Sequence, residues 1–278
     1  MGSSDGKGEQ PTTFALDHEV IELEENMKKV MILLSLLSVA SAFGLDHTQW
    51  DQWLKKFTHV SGSVTRVDYK SAKADPELLD GYLKAIDAVT KAQYEAMTPM
   101  ERLAFLINAY NAFTVKWILS HYPVTSIKDT VGFFGSPWKE KFFKLFGEDQ
   151  SLDGIEHGTI RAQFKEPRIH FAVVCASKGC PALKNEAYVA PRLNDQLESS
   201  AKAFLADATR NHYEDKEGKL YLSKIFDWYG GDFKAAVGSV QAFVLPRMAT
   251  ADAVPEAKYK DVAVSFLKYD WSLNDLER

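Results

Sequence analysis

The chain has 278 residues, of which 46% are hydrophobic and 26% are charged, with 16 glycines and 10 prolines. These proportions are typical of a globular protein and exclude a fibrous chain or one that is disordered throughout. The formal net charge is −5, and the sequence shows no basic patch or basic-aromatic stripe, so we do not expect a nucleic-acid partner.

The first element, Met27–Ala42, has the three parts of a secretory signal peptide in the required order. Lys28 and Lys29 supply positive charge, residues 30–39 form an apolar run, and Ala40-Ser-Ala42 has the small side chains of a cleavage site. An apolar run of about ten residues is too short to cross a bilayer, which needs about 20. We therefore predict export, to the periplasm or out of the cell, with cleavage near Ala42 and no integral membrane segment in the mature chain.

Residues 1–26 are polar and acidic, which does not suit the region before a signal peptide. Either translation starts at Met27, which we favour, or residues 1–26 are an extension added before the signal peptide, and we treat them as a doubtful N-terminal extension. Residues 1–42 hold three Lys and seven Asp or Glu, so the formal charge of residues 43–278 is about −1. This remaining length suits one large domain, and it shows neither a repeat nor a linker, so we predict a single domain over 43–278.

The first part of that domain is predicted to be helical around one short strand. Residues 45–57 have apolar side chains at helical spacing, residues 64–69 alternate as a strand, and residues 76–89 form a helix with Asp75 as its N-cap. Thr98-Pro-Met-Glu101 is a capping box with proline at the first helical position, and it predicts a helix from Pro99 to about His121.

The second part mixes helices with strands. We predict a short apolar-rich element at 141–146, a helix from 151 or 152 to 161, and a buried central strand from Arg168 to Cys175. A helix at 191–208, a hairpin turning at 215–218, a helix at 239–248 and a strand at 262–269 follow. Helices and strands do not alternate strictly, so we predict an α+β fold in which several helices pack on a mixed central sheet.

Two asparagines interrupt the apolar surface of the long predicted helix. Asn108 and Asn111 lie three residues apart, so they share one face of that helix. A buried amide needs hydrogen-bond partners. The pair either clamps a loop, which we favour, or lines a binding site.

Both cysteines of the chain lie in one loop, Cys175-Ala-Ser-Lys-Gly-Cys180. In an oxidising compartment two nearby cysteines most simply form a disulfide, although so small a ring adds only about 2 kcal/mol of stability. The alternative is that Cys175 is a nucleophile. The spacing is neither that of a redox CxxC motif nor that of metal ligands, and we predict no metal site and no cofactor. We favour the disulfide because the compartment is the better-established constraint.

The histidines near this loop are candidate general bases. In a regular strand His170 and Cys175 point to opposite faces, so their pairing requires the strand to break before Cys175. His157 is therefore an equal candidate base for Cys175, and Cys180 an equal partner for His170. His170 could also be an ordinary histidine at the edge of the core. Glu156 could orient an imidazole, or belong with His157 to an exposed charged face.

Aromatic residues are frequent in the second half of the chain, and we interpret most of them as core. These are Trp138, Phe142, Phe143, Phe146, Phe226, Trp228, Tyr229, Phe233, Tyr269 and Trp271. Nothing in the sequence marks which of them line a cleft.

Several segments, in this order and combination, resemble the family catalogued as domain of unknown function 547 (DUF547). They are Val67-Asp-Tyr69, Leu106-Ile-Asn-Ala-Tyr-Asn-Ala112, Ile155-Glu-His157 with Arg161, Arg168–Pro181, Leu222–Tyr229 with Asp232-Phe233, and Phe266–Trp271. The resemblance covers most of residues 60–272. It implies no assigned activity. Some eukaryotic members join this domain to glutaredoxin-like or DEP domains, which suggests thiol chemistry or signalling by association only.

A fainter similarity is to the papain/transglutaminase type of core, in which the nucleophilic cysteine begins a helix and a later strand carries a histidine. Here the long helix carries Asn108 and Asn111 and no cysteine. A core of that type would therefore be degenerate or rearranged in this chain.

Two hypotheses follow from these residues. In the first, the protein is an exported thiol-dependent hydrolase or transferase. Cys175 is then the nucleophile, His170 or His157 the base, Glu156 the orienting carboxylate, and Asn108 or Asn111 a polar support. In the second, it is a binding module for a small molecule or peptide, with a Cys175–Cys180 disulfide fixing a loop. The candidate binding residues are Asn108, Asn111, Arg161 and Ser177. We favour the second, because the sequence yields no complete catalytic arrangement without assumed geometry.

Overall fold

The structure, a computed structural model, describes residue 2 and residues 44–132, 135–251 and 254–277. The predicted signal peptide lies outside the described residues, as does the predicted extension apart from residue 2. From Leu45 onward the chain forms one unit. None of the helices in the described ranges has the length and apolar character needed to cross a bilayer.

Helices and strands are both present, which confirms the mixed α+β composition. The α-helices of the described residues are α1 (Thr48–Phe57), α2 (Tyr69–Ala74), α3 (Glu77–Asp87), α4 (Lys91–Ala96), α5 (Pro99–His121), α6 (Arg161–Phe164), α7 (Leu193–Leu205), α8 (Ile225–Trp228), α9 (Gly230–Val237) and α10 (Val240–Val244). A π-helical turn, Gly154–Ile160, leads into α6. Short 3-10 helices occupy Ile127–Thr130, Pro167–Phe171, Ala190–Arg192, Leu245–Arg247, Ala249–Ala251 and Glu256–Asp261.

The strands are short and form separate sheets. They are β1 (Thr58–Ser61), β2 (Val64–Val67), β3 (Phe143–Leu145), β4 (Glu148–Gln150), β5 (His212–Glu214), β6 (Lys219–Leu222) and β7 (Ala263–Phe266). β1 pairs with β2 and β3 with β4, each antiparallel, whereas β6 pairs antiparallel with β5 and parallel with β7. The predicted hairpin at 215–218 is confirmed. The single mixed central sheet is wrong for the described residues, and this arrangement does not establish a papain or transglutaminase type of core.

The long helix α5 organises the larger part of the core, as its sequence predicts. The Thr98 hydroxyl accepts from the Glu101 N–H at 3.3 Å, and the Glu101 carboxylate accepts from the Thr98 N–H at 2.7 Å. These bonds form the predicted capping box and satisfy donors that a helix start leaves unpaired. α5 is buried around most of its circumference, which is typical of a central helix that is apolar on all sides.

The predicted N-cap of α3 is wrong. Pro76 occupies the N-cap position and makes no side-chain cap, while the Asp75 carboxylate instead accepts a hydrogen bond from the Lys56 ammonium at 2.5 Å. An ion pair with another helix has thus replaced the local cap.

The strand predicted at Arg168–Cys175 is also wrong, and this is the correction that matters most for the site. Pro167–Phe171 is a 3-10 helix, started by the Glu166 carboxylate, which accepts from the Arg168 N–H at 3.0 Å. The apolar run that follows is buried because it lies between two core clusters: Phe171 belongs to one, and residues 172–174 belong to the other. A continuous apolar run indicates burial, but it does not by itself distinguish a strand from a turn of helix.

Candidate active site

A cavity of about 270 Å³ collects most of the chemically active residues singled out in the sequence. His170, Cys175 and Cys180 line it, together with Glu156 and His157. The aromatic side chains among its walls are Tyr110, Trp138, Trp228, Tyr229, Tyr269 and Trp271. These aromatic residues therefore form a cleft as well as packing on the core.

Cys175 lies in a cluster of hydrogen-bonding groups. Its Sγ is 3.2 Å from the Ser177 hydroxyl oxygen and 3.2 Å from that of Tyr269. The Ser177 hydroxyl donates to the Tyr269 oxygen at 3.0 Å, which leaves the Tyr269 proton free to point at the sulfur. Such donors stabilise a thiolate more than a neutral thiol.

The thiols of Cys175 and Cys180 are not equivalent. Hydrogen bonds of the Cys175 sulfur with the Cys180 thiol, with Ser177 and with Tyr269 outweigh burial and lower the pKa of Cys175 to about 7. Burial and the neighbouring Cys175 sulfur raise the pKa of Cys180 well above its usual value. Of the two, Cys175 is the residue equipped to act as a nucleophile at neutral pH.

The predicted Cys175–Cys180 disulfide is wrong for this structure, in which both cysteines are free thiols. The loop turns so that the Cys180 sulfur accepts a hydrogen bond from the Cys175 backbone N–H at 3.0 Å. One cysteine thus supports the backbone of the other.

The segment at residues 270–272 holds the cysteine loop, residues 175–180, in place. The Gly179 N–H donates to the Asp270 carbonyl at 2.8 Å, and a Cβ at Gly179 would lie 2.9 Å from that residue's backbone, so only glycine allows this approach. Ala176 adopts a left-handed backbone with φ of 59°, which costs an L-residue roughly 1–2 kcal/mol. These contacts bring Tyr269 against Cys175.

The depressed pKa of Cys175 predicts its alkylation behaviour. Because only the thiolate reacts, the rate of Cys175 modification by iodoacetamide should rise with pH and reach half its plateau near pH 7. Peptide mass spectrometry across pH 5–10 measures the rate at each cysteine separately. A half-point near 9, the ordinary value for a thiol, would contradict the assigned hydrogen-bond cluster.

His170 is buried, with only 3% of its surface exposed, and its two ring nitrogens differ. Nε2 donates to the Asp232 carboxylate at 2.8 Å, whereas Nδ1 has no hydrogen-bond partner and lies 4.0 Å from the Glu156 carboxylate. The Tyr229 ring stacks on the imidazole at a centroid distance of 3.8 Å. Burial lowers the pKa of His170, so the imidazole is neutral and Nδ1 is available as a base.

Asp232 joins His170 to Arg161. The guanidinium donates two hydrogen bonds to the carboxylate, at 2.7 and 2.8 Å. The hydrogen bonds from His170 and Arg161 hold the pKa of Asp232 far below its usual range, so it remains ionised. An ionised carboxylate on one imidazole nitrogen fixes the tautomer and orientation of the ring.

Glu156 and His157 come from the π-helical turn, a geometry that is frequent at functional sites. Glu156 is buried, and its negative charge and hydrogen bond with the Tyr229 hydroxyl contribute to raising the pKa of that phenol, after burial itself. His157 is exposed, and its Nδ1 lies 2.9 Å from an Arg161 nitrogen. Arg161 does not line the cavity and acts on it through Asp232.

His170 and Cys175 are not held on opposite faces of a strand, because the predicted strand is absent. The 3-10 helix carries His170, and the irregular segment after it carries Cys175 to a wall of the same cavity. No regular alternation of side chains connects the two residues.

Asn108 and Asn111 each hold a backbone segment. The Asn108 amide donates to the Tyr188 carbonyl at 2.7 Å and accepts from the Tyr188 N–H at 3.0 Å. The Asn111 amide donates to the Ala172 carbonyl at 2.8 Å and accepts from the Val174 N–H at 3.0 Å. Neither residue lines the cavity, and Asn111 fixes the segment that leads into Cys175.

Replacing Asn111 by alanine should lower the free energy of unfolding by at least about 2 kcal/mol, because two buried backbone groups lose their partners. Asn194→Ala is the matched control, since Asn194 is exposed and should change stability by no more than about 0.5 kcal/mol. Urea denaturation followed by circular dichroism measures both variants. Equal effects would contradict the clamping role of Asn111.

Sequence reasoning did not assign Asp232 or the aromatic walls to a site. Asp232 lies 62 residues after His170, and neither spacing nor hydropathy links them. The only signal was that Asp232, Trp228, Tyr229, Tyr269 and Trp271 all fall within segments that carried the family resemblance.

Comparison with known proteins gives one match. Residues 94–205 match the family described as "Protein of unknown function, DUF547", which confirms the resemblance seen in the sequence. No curated protein and no solved structure matches the chain. The matched range contains α5, the π-helical turn and the cysteine loop, whereas Asp232, Trp228, Tyr229, Tyr269 and Trp271 follow it. Over residues 94–205 the chain therefore resembles the DUF547 family.

Proposed function

We propose that the protein is a thiol-dependent hydrolase or acyltransferase. Cys175 is the nucleophile, His170 is the general base, and Asp232 holds the imidazole in place. The observation that carries the proposal is that one cavity contains a thiol of depressed pKa and a buried histidine with a single unpartnered nitrogen. Compared with the Cys-His-Glu arrangement considered from sequence, Asp232 takes the orienting position, because it rather than Glu156 hydrogen-bonds the imidazole.

The chemistry follows from the protonation states. Nδ1 of His170 takes the proton of Cys175 as the sulfur attacks a carbonyl carbon of the substrate. The bond to the leaving amine or alcohol then breaks, and the leaving group takes the proton from His170, which leaves an acyl group on Cys175. In hydrolysis, water attacks this thioester with His170 again as base. In transfer, a second nucleophile takes the place of water.

A burst experiment tests this proposal. Mixed with excess p-nitrophenyl acetate at pH 7.5, the protein should release close to one equivalent of p-nitrophenolate before the steady state. Peptide mass spectrometry of the quenched sample should find the acetyl group on Cys175. No burst, or acetylation confined to other residues, would refute the nucleophile assignment.

The alternative is a module that binds a small molecule or peptide and catalyses no reaction. As drawn from the sequence, it depended on a disulfide that fixes the loop, and both cysteines are free thiols. A rigid binding pocket also gives no reason for a proton acceptor to remain unpartnered in the cavity that Cys175 lines. Hydrolase or transferase chemistry therefore accounts for more of the site.

We also propose that this activity is exercised after export. Support comes from the order of positive, apolar and small-residue parts in Met27–Ala42. Fusion of residues 27–60 to an alkaline phosphatase lacking its own signal tests the proposal in a Gram-negative host. Activity outside the cytoplasm, with a mature N-terminus near residue 43, is expected. An inactive, uncleaved fusion would reject it.

A further inference from the structure

The cavity is lined by carboxylates but by no Lys or Arg of the described residues. The two carboxylates are those of Asp153 and Glu156. Glu156 is 5% exposed. Its hydrogen-bond partner in the cavity, the Tyr229 hydroxyl, is neutral and does not compensate the negative charge of the carboxylate. A buried carboxylate in a largely apolar pocket attracts a positive group more strongly than one in open water.

Trp228, Tyr269 and Trp271 form an aromatic wall of the same cavity. Their ring centroids lie 4.9 Å apart for Trp228 and Tyr269, 4.5 Å for Tyr269 and Trp271, and 5.7 Å for Trp228 and Trp271. Trp228 is 47% exposed, which is unusual for so large an apolar side chain. Aromatic faces carry partial negative charge and bind cations, tryptophan most strongly.

Two cationic side chains of the protein already lie over aromatic rings of this site. The Lys128 ammonium lies 3.5 Å from the centroid of Trp271, although Lys128 does not line the cavity. The Arg161 guanidinium lies 5.2 Å from the centroid of Tyr229, a further ring of the cavity. Two rings of this site thus already contact a cation, each from a residue outside the cavity lining.

The size of the cavity limits what can enter. About 270 Å³ lies just below the roughly 300–1,000 Å³ that is typical of small-ligand pockets. A single side chain or small head group fits, whereas a polymer could contribute only one such group at a time.

We propose that the substrate carries an organic ammonium group, which binds between the aromatic wall and the Glu156 and Asp153 carboxylates while its acyl carbon faces Cys175. This inference rests on the proposed function for the acyl carbon, but binding of the ammonium group does not require catalysis. Glu156 and Trp228 are then specificity-determining residues.

The test measures binding to full-length Cys175→Ala protein, which keeps the cavity and lacks the nucleophile. Choline is the cationic probe, and 3,3-dimethylbutan-1-ol, in which carbon replaces the quaternary nitrogen, is the neutral isostere. Tryptophan fluorescence and calorimetry should show choline binding at least tenfold more tightly than the alcohol. Equal affinities, or no saturable choline binding, would reject the inference.

Two further variants in the same background locate the bound cation. Glu156→Gln keeps an acceptor for the Tyr229 hydroxyl but removes the charge, and Trp228→Leu removes an exposed ring. Each should weaken choline binding about fivefold or more without changing the affinity for the alcohol to the same degree. Glu148→Gln, at an exposed position of β4, is the control and should bind as the Cys175→Ala parent does. If neither variant changes the affinity for choline, choline binds elsewhere and the proposed site is rejected.

The burst experiment and this one fail separately. A burst on Cys175 without preference for choline rejects the ammonium inference and leaves the proposed function standing. Choline preference without a burst rejects the nucleophile and supports the binding-module alternative.

Discussion

Cys175→Ser should abolish the p-nitrophenyl acetate burst and lower the steady-state rate by roughly 10³-fold or more, as expected when a nucleophile is lost. A serine hydroxyl at this position stays protonated at neutral pH, because the hydrogen-bond cluster that lowers the pKa of a thiol cannot ionise an alcohol. Stopped-flow absorbance gives the burst, and intact mass gives the acyl adduct. The change replaces one atom in a hydrogen-bonded loop, so the protein should remain folded.

The matched variant is Cys180→Ser, in the same loop. Its hydroxyl can still donate to the Cys175 sulfur, so we expect at most a tenfold loss of rate. The half-point of Cys175 alkylation should stay well below that of an ordinary thiol, because a donor remains at the position that contributes most to the depressed pKa. A greater loss in Cys180→Ser than in Cys175→Ser would reverse the assignment of the nucleophile.

Asp232→Asn should reduce the burst rate by roughly 10²- to 10⁴-fold, the range expected when the carboxylate that orients a catalytic histidine is replaced by its amide. The amide can present its NH₂ group to Nε2 and so favour the wrong tautomer, in which Nδ1 carries the proton. It also leaves the Arg161 guanidinium without its charged partner.

A second measurement distinguishes a loss of His170 orientation from a loss of protein stability. The hydrogen bond with Asp232 raises the pKa of His170 against the larger effect of burial, so Asp232→Asn should lower the pKa of His170 further. Nuclear magnetic resonance titration of the His170 ring measures this shift directly. Asp227→Asn, which disturbs only the exposed pair with Lys224, is the control and should retain both rate and titration. An unchanged burst in Asp232→Asn would remove Asp232 from the mechanism.

The parts of the fold that could be read from sequence are those fixed by local interactions. Thr98 and Glu101 cap α5 through bonds that span three residues, and the extent of that helix agrees with the prediction at both ends. The hairpin at 215–218 likewise depends on a turn and its flanking residues. Such hydrogen bonds and turn preferences involve only residues that are close in the sequence, so the sequence reveals them directly.

The failures arise where distant contacts outweigh local pattern. Asp75 was expected to cap α3 and instead pairs with Lys56, 19 residues earlier. The apolar run after Phe171 reads as a central strand, yet two core clusters bury it without any sheet. Hydropathy reports that a segment is buried, and the neighbours that bury it determine its conformation.

The same division applies to the site. By itself the sequence determined which residues have the chemistry: two cysteines in one loop, His170 a few residues before them, Glu156 beside His157, and a family resemblance that includes all of them. Only the tertiary structure decided their roles. It left both thiols free, gave Cys175 the lower pKa, and paired His170 with Asp232. Ionisation and hydrogen bonding depend on atoms within a few ångströms, and those atoms come from segments as far apart as Tyr110 and Trp271, whose proximity no local pattern encodes.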